Sequence, residues 1–184
     1  MKNIVLIGFM GTGKTCVGKM VAQELGWQFV DLDQEVEQAI GMTIADYFKL
    51  NGETAFRDRE TETAARVAAL SQRVVATGGG VVLRQENIDR LKESGILVCL
   101  SASEQEIVAR TEGDTLRPLL NRPDRLQAIR DLLTARMPQY RQADIWVETD
   151  GKSVTETAAM ILRILREEGW TNGKNSCESG RKKL

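Results

Sequence analysis

Lys2-Asn-Ile-Val-Leu-Ile-Gly8-Phe-Met-Gly-Thr-Gly13-Lys14-Thr15 opens the chain with an apolar, β-branched run that passes straight into a glycine loop. The run does not alternate polar with apolar, so it reads as a strand buried on both faces, as in a parallel sheet. Beyond the loop, Val17, Met20, Val21 and Leu25 recur at helical spacing and Gly26 stops the pattern. Between strand and helix, Gly8 to Thr15 matches G-x-x-x-x-G-K-[ST] in the setting that gives the pattern its meaning. Its glycines let backbone N–H groups curl around phosphate oxygens, and the following helix adds the positive end of its dipole. Lys14 can then reach the outer phosphates, and the Thr15 hydroxyl can ligate magnesium.

Working outward, helices and strands keep alternating, which predicts an α/β fold. Strands are expected at 27–31, 73–77, 96–100 and 145–149, and helices at 34–40, 53–70, 86–93, 104–111, 126–137 and 155–168. Thr43-Ile-Ala-Asp46 has a capping pattern that opens a further helix, broken by Asn51-Gly52. The stretch 112–124 is rich in Gly, Pro, Arg and Asp and reads as a mobile lid rather than a core element. Residues 171–184 carry four basic side chains, one carboxylate and almost nothing apolar, so the domain is expected to span 1–170 with a flexible tail beyond it.

Length and composition narrow the function. A chain of 184 residues, 42% hydrophobic and 28% charged, suits one soluble domain with a proper core. Lys plus Arg (25) balance Asp plus Glu (26), which offers no electrostatic grip on a nucleic-acid backbone. Histidine is absent, so proton transfer falls to carboxylates, lysines or water, and a histidine-ligated zinc is excluded. Cys16, Cys99 and Cys177 are scattered and odd in number, which fits a reducing cytoplasm. The apolar start is too short to span a bilayer, and no membrane association is expected.

A phosphate loop alone leaves ATPases, GTPases and small-molecule kinases open. No D-x-x-G or N-K-x-D pattern follows, which disfavours a guanine-nucleotide switch. The best-placed carboxylates are Asp31 and Asp33, just past the second strand, at the edge where open α/β sheets bind ligands. In extended chain a spacing of two puts both on one face, one for magnesium through water and one for an acceptor hydroxyl. Helix N-caps would read the same way. Arg57 and Glu60, three apart on a helix, can form a fixed fork for an anion, although a solvated surface pair is the blander reading. Phe48 and Phe56 nearby read as core. Gly78-Gly79-Gly80 after a strand would let a ligand approach backbone closely. Arg110, Arg117, Arg122 and Arg125 bracket the lid, with Arg136 beyond it, and an arginine on a closing segment can neutralise charge on a transferring phosphoryl group.

Taken together, the chain resembles the shikimate kinase family from about residue 2 to 165. The matching stretches are Gly8 to Thr15, Phe-Val-Asp-Leu-Asp at 29–33, Gly-Met-Thr-Ile-Ala-Asp at 41–46, Gly-Glu-Thr-Ala-Phe-Arg at 52–57, Ala-Thr-Gly-Gly-Gly at 76–80, Arg-Pro-Leu-Leu at 117–120 and Arg-x-x-x-Tyr at 136–140. The resemblance implies a three-layer α/β/α fold of nucleoside-monophosphate-kinase type, with a five-stranded parallel sheet. It implies MgATP-dependent phosphorylation of the shikimate 3-hydroxyl, on the way to chorismate and the aromatic amino acids, by a cytoplasmic monomer. By the same resemblance Asp33 meets the acceptor hydroxyl, and Arg57, Gly79, Gly80 and Arg136 hold shikimate. Gly11, Thr12, Gly13, Lys14, Thr15 and Cys16 hold the phosphates, Cys16 through its backbone N–H. Arg117 is the lid arginine, Arg110 stacks on adenine, and Thr15 with water-linked Asp31 serves Mg2+. Val154 stands where the family's adenine site usually has a proline. Two rivals stay open: a kinase for gluconate or another hydroxy acid, and a nucleotide-dependent switch that recruits a partner.

Overall fold

In the computed structural model of the protein, residues 2–112 and 124–170 are described. They form, in chain order, β1 (Asn3–Ile7), α1 (Lys14–Leu25), β2 (Gln28–Asp31), α2 (Leu32–Ile40), α3 (Ile44–Ala68) and β3 (Arg73–Ala76). A 3-10 turn (Val81–Leu83), α4 (Gln85–Ser94), β4 (Gly95–Ser101), α5 (Glu104–Arg110), α6 (Arg125–Tyr140), β5 (Ile145–Glu148) and α7 (Val154–Glu167) follow. The strands pair in the order β2-β3-β1-β4-β5, all parallel.

The unbroken apolar run at the N-terminus becomes the central strand, with every residue of β1 buried. Its side chains alternate between two cores. Ile4 and Leu6 join Val17 and Val21 of α1 and Ile161 and Leu165 of α7. Val5 and Ile7 join Val67 of α3, Ile88 and Leu91 of α4, and Ile129 of α6. Each such side chain contributes about 1.5–3 kcal/mol on leaving water, so one strand anchors helices on both faces. That is the expected α/β/α sandwich with a five-stranded parallel sheet. Parallel pairing also gathers all strand C-termini at one edge, so the loops after β1, β2 and β3 converge there.

Several local expectations are met. Gly26 caps α1, and Thr43 accepts a hydrogen bond from Asp46 N–H at 3.1 Å to open α3. The expected break at Asn51-Gly52 is a kink inside α3, where Gly52 adopts φ 80° and ψ 175°. No neighbour crowds that position, so it is the backbone conformation that favours glycine there.

Other boundaries differ. Helix α2 starts at Leu32, two residues early, because Asp31 caps it. Helix α6 continues through Pro138 to Tyr140, one turn past the expected end near 137. That extra turn brings Tyr140 into the core. The lid expected at 112–124 lies outside the described residues apart from its end residues, and so does the tail at 171–184.

Candidate active site

The loop after β1 is built as its sequence demands. Gly13 is the N-cap of α1, at φ 89°. The Thr12 hydroxyl turns back to donate to the Phe9 carbonyl at 2.8 Å, bracing the loop from within. Lys14 is buried, and its Nζ donates to the carbonyls of Gly8 (2.9 Å) and Phe9 (2.8 Å). Cys16 is exposed beside it, whereas burial in β4 pushes the Cys99 thiol up to about 12 and leaves it inert.

Asp31 does two things at once. Its Oδ1 accepts the N–H of Asp33 at 3.2 Å as the cap of α2, and its Oδ2 accepts the Thr15 hydroxyl at 2.9 Å. The extended-chain argument for Asp31 and Asp33 is therefore corrected: α2 begins between them, so Asp33 sits in the first helical turn while Asp31 ends the strand. The helical turn aims Asp33 at the loop after β3. A Cβ on Gly78 would fall on the Asp33 carboxylate, and one on Gly80 would fall on the Arg57 guanidinium. Only side-chain-free residues let that loop lie between these two charged groups.

Arg57 and Glu60 form no surface pair. Arg57 Nη1 donates to Glu60 Oε2 at 2.7 Å, with side chains 13% and 2% exposed. The reading of a solvated pair fails because Glu60 lies on the stripe of α3 that carries Phe56, Thr63, Ala64 and Val67 into the core. Glu53, on the exposed side, accepts a second bond from Arg57 Nη2 at 3.2 Å. Phe56 is buried and lies 5.1 Å beneath the guanidinium, with Phe48 packed against it at 4.6 Å between ring centres. Burial raises the Glu60 carboxyl above its ordinary range, with Asp33's charge adding to the rise and Arg57 and Arg136 opposing it. Such a pair adds little net stability but fixes the guanidinium in place.

Arg136, also buried, faces the same loop. Its Nη1 donates to the Gly79 carbonyl at 3.1 Å, and its guanidinium lies 5.6 Å from the ring centre of Phe9. The Arg57 and Arg136 guanidiniums and the Asp33 carboxylate thus surround Gly78-Gly79-Gly80, next to the phosphate loop, with Glu60 holding Arg57.

At the far side, Arg110 donates to Glu106 Oε1 (2.9 Å), Thr149 Oγ1 (2.9 Å) and Thr149 O (2.8 Å). A planar cation held on several bonds past the end of β5 is suited to stacking. Nothing in a lone threonine after a strand marks Thr149 in the sequence. Val154 is 37% exposed at the first position of α7, where proline's fixed φ would also fit. Arg125 Nη2 donates to the carbonyl and hydroxyl of Thr111, tying together the two chain ends that flank 113–123. Arg117 and Arg122 lie outside the described residues.

Among the described residues no group of three His, Cys, Asp or Glu could hold a metal. The Thr15 hydroxyl beside the Asp31 carboxylate still fits Mg2+, a hard cation that keeps several waters and takes substrate phosphates as ligands. No described helix is long and apolar enough to cross a membrane.

A parallel α/β/α sheet with this loop at its carboxyl edge defines a P-loop nucleotide-binding protein. The family model described as shikimate kinase matches residues 10–166. A shikimate kinase of Thermodesulfovibrio yellowstonii is 49% identical over 95% of this chain and 99% of its own length. Another, of Symbiobacterium thermophilum, is 46% identical over 91% of this chain and 98% of its own. Among solved structures, shikimate kinase from Acinetobacter baumannii in complex with shikimate superposes with a TM-score of 0.88 at 38% identity, covering 91% of this chain and 94% of that one. A gluconokinase from Sinorhizobium meliloti shares the fold alone, with a TM-score of 0.58 and 20% identity over 94% of this chain and 98% of that one. The chain belongs to the shikimate kinase family.

Proposed function

We propose that this kinase transfers the γ-phosphoryl group of ATP to the 3-hydroxyl of shikimate, giving shikimate 3-phosphate and ADP. The observation that carries the reading is the buried cluster of Arg57, Glu60 and Arg136 around the glycine loop, next to Asp33. An anionic acceptor needs fixed cations, and an alcohol nucleophile needs a carboxylate beside it. Arg57 and Arg136, with the backbone of Gly79 and Gly80, grip the carboxylate and ring of shikimate. Asp33 orients the 3-hydroxyl and accepts its proton as the new O–P bond forms. The bond from the γ-phosphorus to the bridging oxygen breaks, and ADP leaves.

Loop N–H groups from Gly11 to Cys16 cradle the phosphates, Lys14 turns from its two carbonyls to the outer phosphates, and the Arg110 plane supports the adenine. Thr15 and water-linked Asp31 would hold Mg2+, which neutralises phosphate charge when bound. Arg117 keeps the lid role that the resemblance gives it. We read the enzyme as one kinase domain over 1–170 and as a cytoplasmic monomer, in keeping with its scattered thiols.

The test is ADP release measured against shikimate, gluconate and related hydroxy acids. Turnover confined to shikimate is expected, and equal or better turnover with gluconate would sink the proposal. Arg57→Ala or Arg136→Ala should raise the KM for shikimate by about 10- to 150-fold, since a charge-assisted bond is worth about 1.5–3 kcal/mol, while the KM for ATP stays put. A rise confined to the ATP KM would show that the clamp is misassigned.

A further inference from the structure

The Gly79 carbonyl accepts two hydrogen bonds, one from Arg136 Nη1 at 3.1 Å and one from the Tyr140 hydroxyl at 3.0 Å. Both donors come from α6, one helical turn apart, and both are buried, Arg136 at 5% exposure and Tyr140 at 2%. The doubling is informative because the two donors have different prospects. Arg136 has another duty, whereas the Tyr140 ring is buried in the core cluster that also holds Val81. Gly79 is half-buried, and a partly buried carbonyl left without a donor still carries a desolvation cost, so a guanidinium that was its only partner would resist leaving it.

We propose that Tyr140 is a positioning residue for the acceptor site: its hydroxyl keeps the Gly79 carbonyl satisfied while Arg136 turns its guanidinium to the carboxylate of the acceptor. This rests on the reading of Arg136 as part of the shikimate clamp. Tyr140 touches no reacting atom. Its action is to lower the free energy of recruiting Arg136 and to hold the 79–80 peptide plane steady as it is recruited. Burial pushes the phenol up to about 12, so it remains a donor at any pH where the enzyme works.

The test is Tyr140→Phe, which keeps the ring in the core and removes only the donor. The expected result is a rise in the KM for shikimate of about 5- to 20-fold, the cost of a stranded carbonyl partly offset by Arg136, with kcat and the KM for ATP within about twofold of the parent. In an Arg136→Ala background the same substitution should change the shikimate KM by less than about twofold, because the residue acts through Arg136. A shikimate analogue lacking the carboxylate should likewise bind both forms alike.

A Tyr140→Phe enzyme that melts earlier but keeps the parent's shikimate KM would overturn the inference, leaving Tyr140 a structural residue. An equal penalty in the Arg136→Ala background would also overturn it. If Arg136→Ala itself leaves the shikimate KM unchanged, the clamp falls and this inference falls with it, which separates the two failures.

Discussion

Lys14→Ala lowers kcat by about 10³- to 10⁵-fold, the range found when a cation that neutralises the transferring phosphoryl group is removed. The side chain is already committed to the loop, donating to the carbonyls of Gly8 and Phe9. Phe9 O keeps a second donor in the Thr12 hydroxyl, but Gly8 O loses one. A modest fall in the thermal midpoint should therefore accompany the catalytic defect, reflecting about 1–3 kcal/mol for one buried acceptor. Circular dichroism at assay temperature separates the two effects. A folded Lys14→Ala enzyme with near-normal turnover would remove Lys14 from phosphoryl transfer.

The second large effect belongs to Asp33. Asp33→Asn keeps the shape beside Gly78 and removes the charge that can take the hydroxyl proton. A fall in kcat of about 10²- to 10⁴-fold is expected, the usual range for losing a positioned general base, with the KM for ATP little changed. Asp31→Asn is the contrasting control. Its carboxylate accepts the Thr15 hydroxyl, so its loss should raise the Mg2+ concentration needed for half-maximal rate rather than abolish the rate. If added Mg2+ rescued Asp33→Asn instead, the two roles would be exchanged.

How much of this was legible beforehand follows from the range over which each signal acts. The apolar run of β1, the glycine loop and the cap at Thr43 are local patterns, and local physics decides them. The helix boundary at Asp31 was harder, because a short carboxylate after a strand can end the strand, cap the helix or do both, and here it does both. Spacing marks Glu60 as Arg57's partner but leaves a fixed fork and a solvated pair both open, since an i, i+3 ion pair looks the same whether or not the stripe beneath it turns into the core. Tyr140 lay beyond Pro138, where a proline argues that a helix has ended. The convergence of Gly78 and Gly80 on Asp33 and Arg57 is tertiary, and spacing in the chain carries no trace of it. Family resemblance implies roles for Asp33, Arg57 and Gly80, while their contacts, and the place of Gly78 against Asp33, emerge only in the folded chain.

Burying Glu60 also makes folding a proton-consuming event. Its carboxyl titrates higher in the folded protein than in the unfolded chain, so between the ordinary glutamate value and the raised one the native state binds more protons. Through that window stability falls as pH rises, the opposite of what an exposed, salt-bridged carboxylate does. An arriving acceptor carboxylate would add a further negative charge to those of Asp33 and Glu60 around Arg57, which pushes Glu60 further the same way. Association should then draw protons from solution at pH values above the ordinary glutamate range. Calorimetric titrations in buffers of different ionisation enthalpy would register this as a buffer-dependent heat, and Glu60→Gln should abolish that dependence. Identical heats in every buffer would mean that Glu60 keeps one protonation state throughout the cycle.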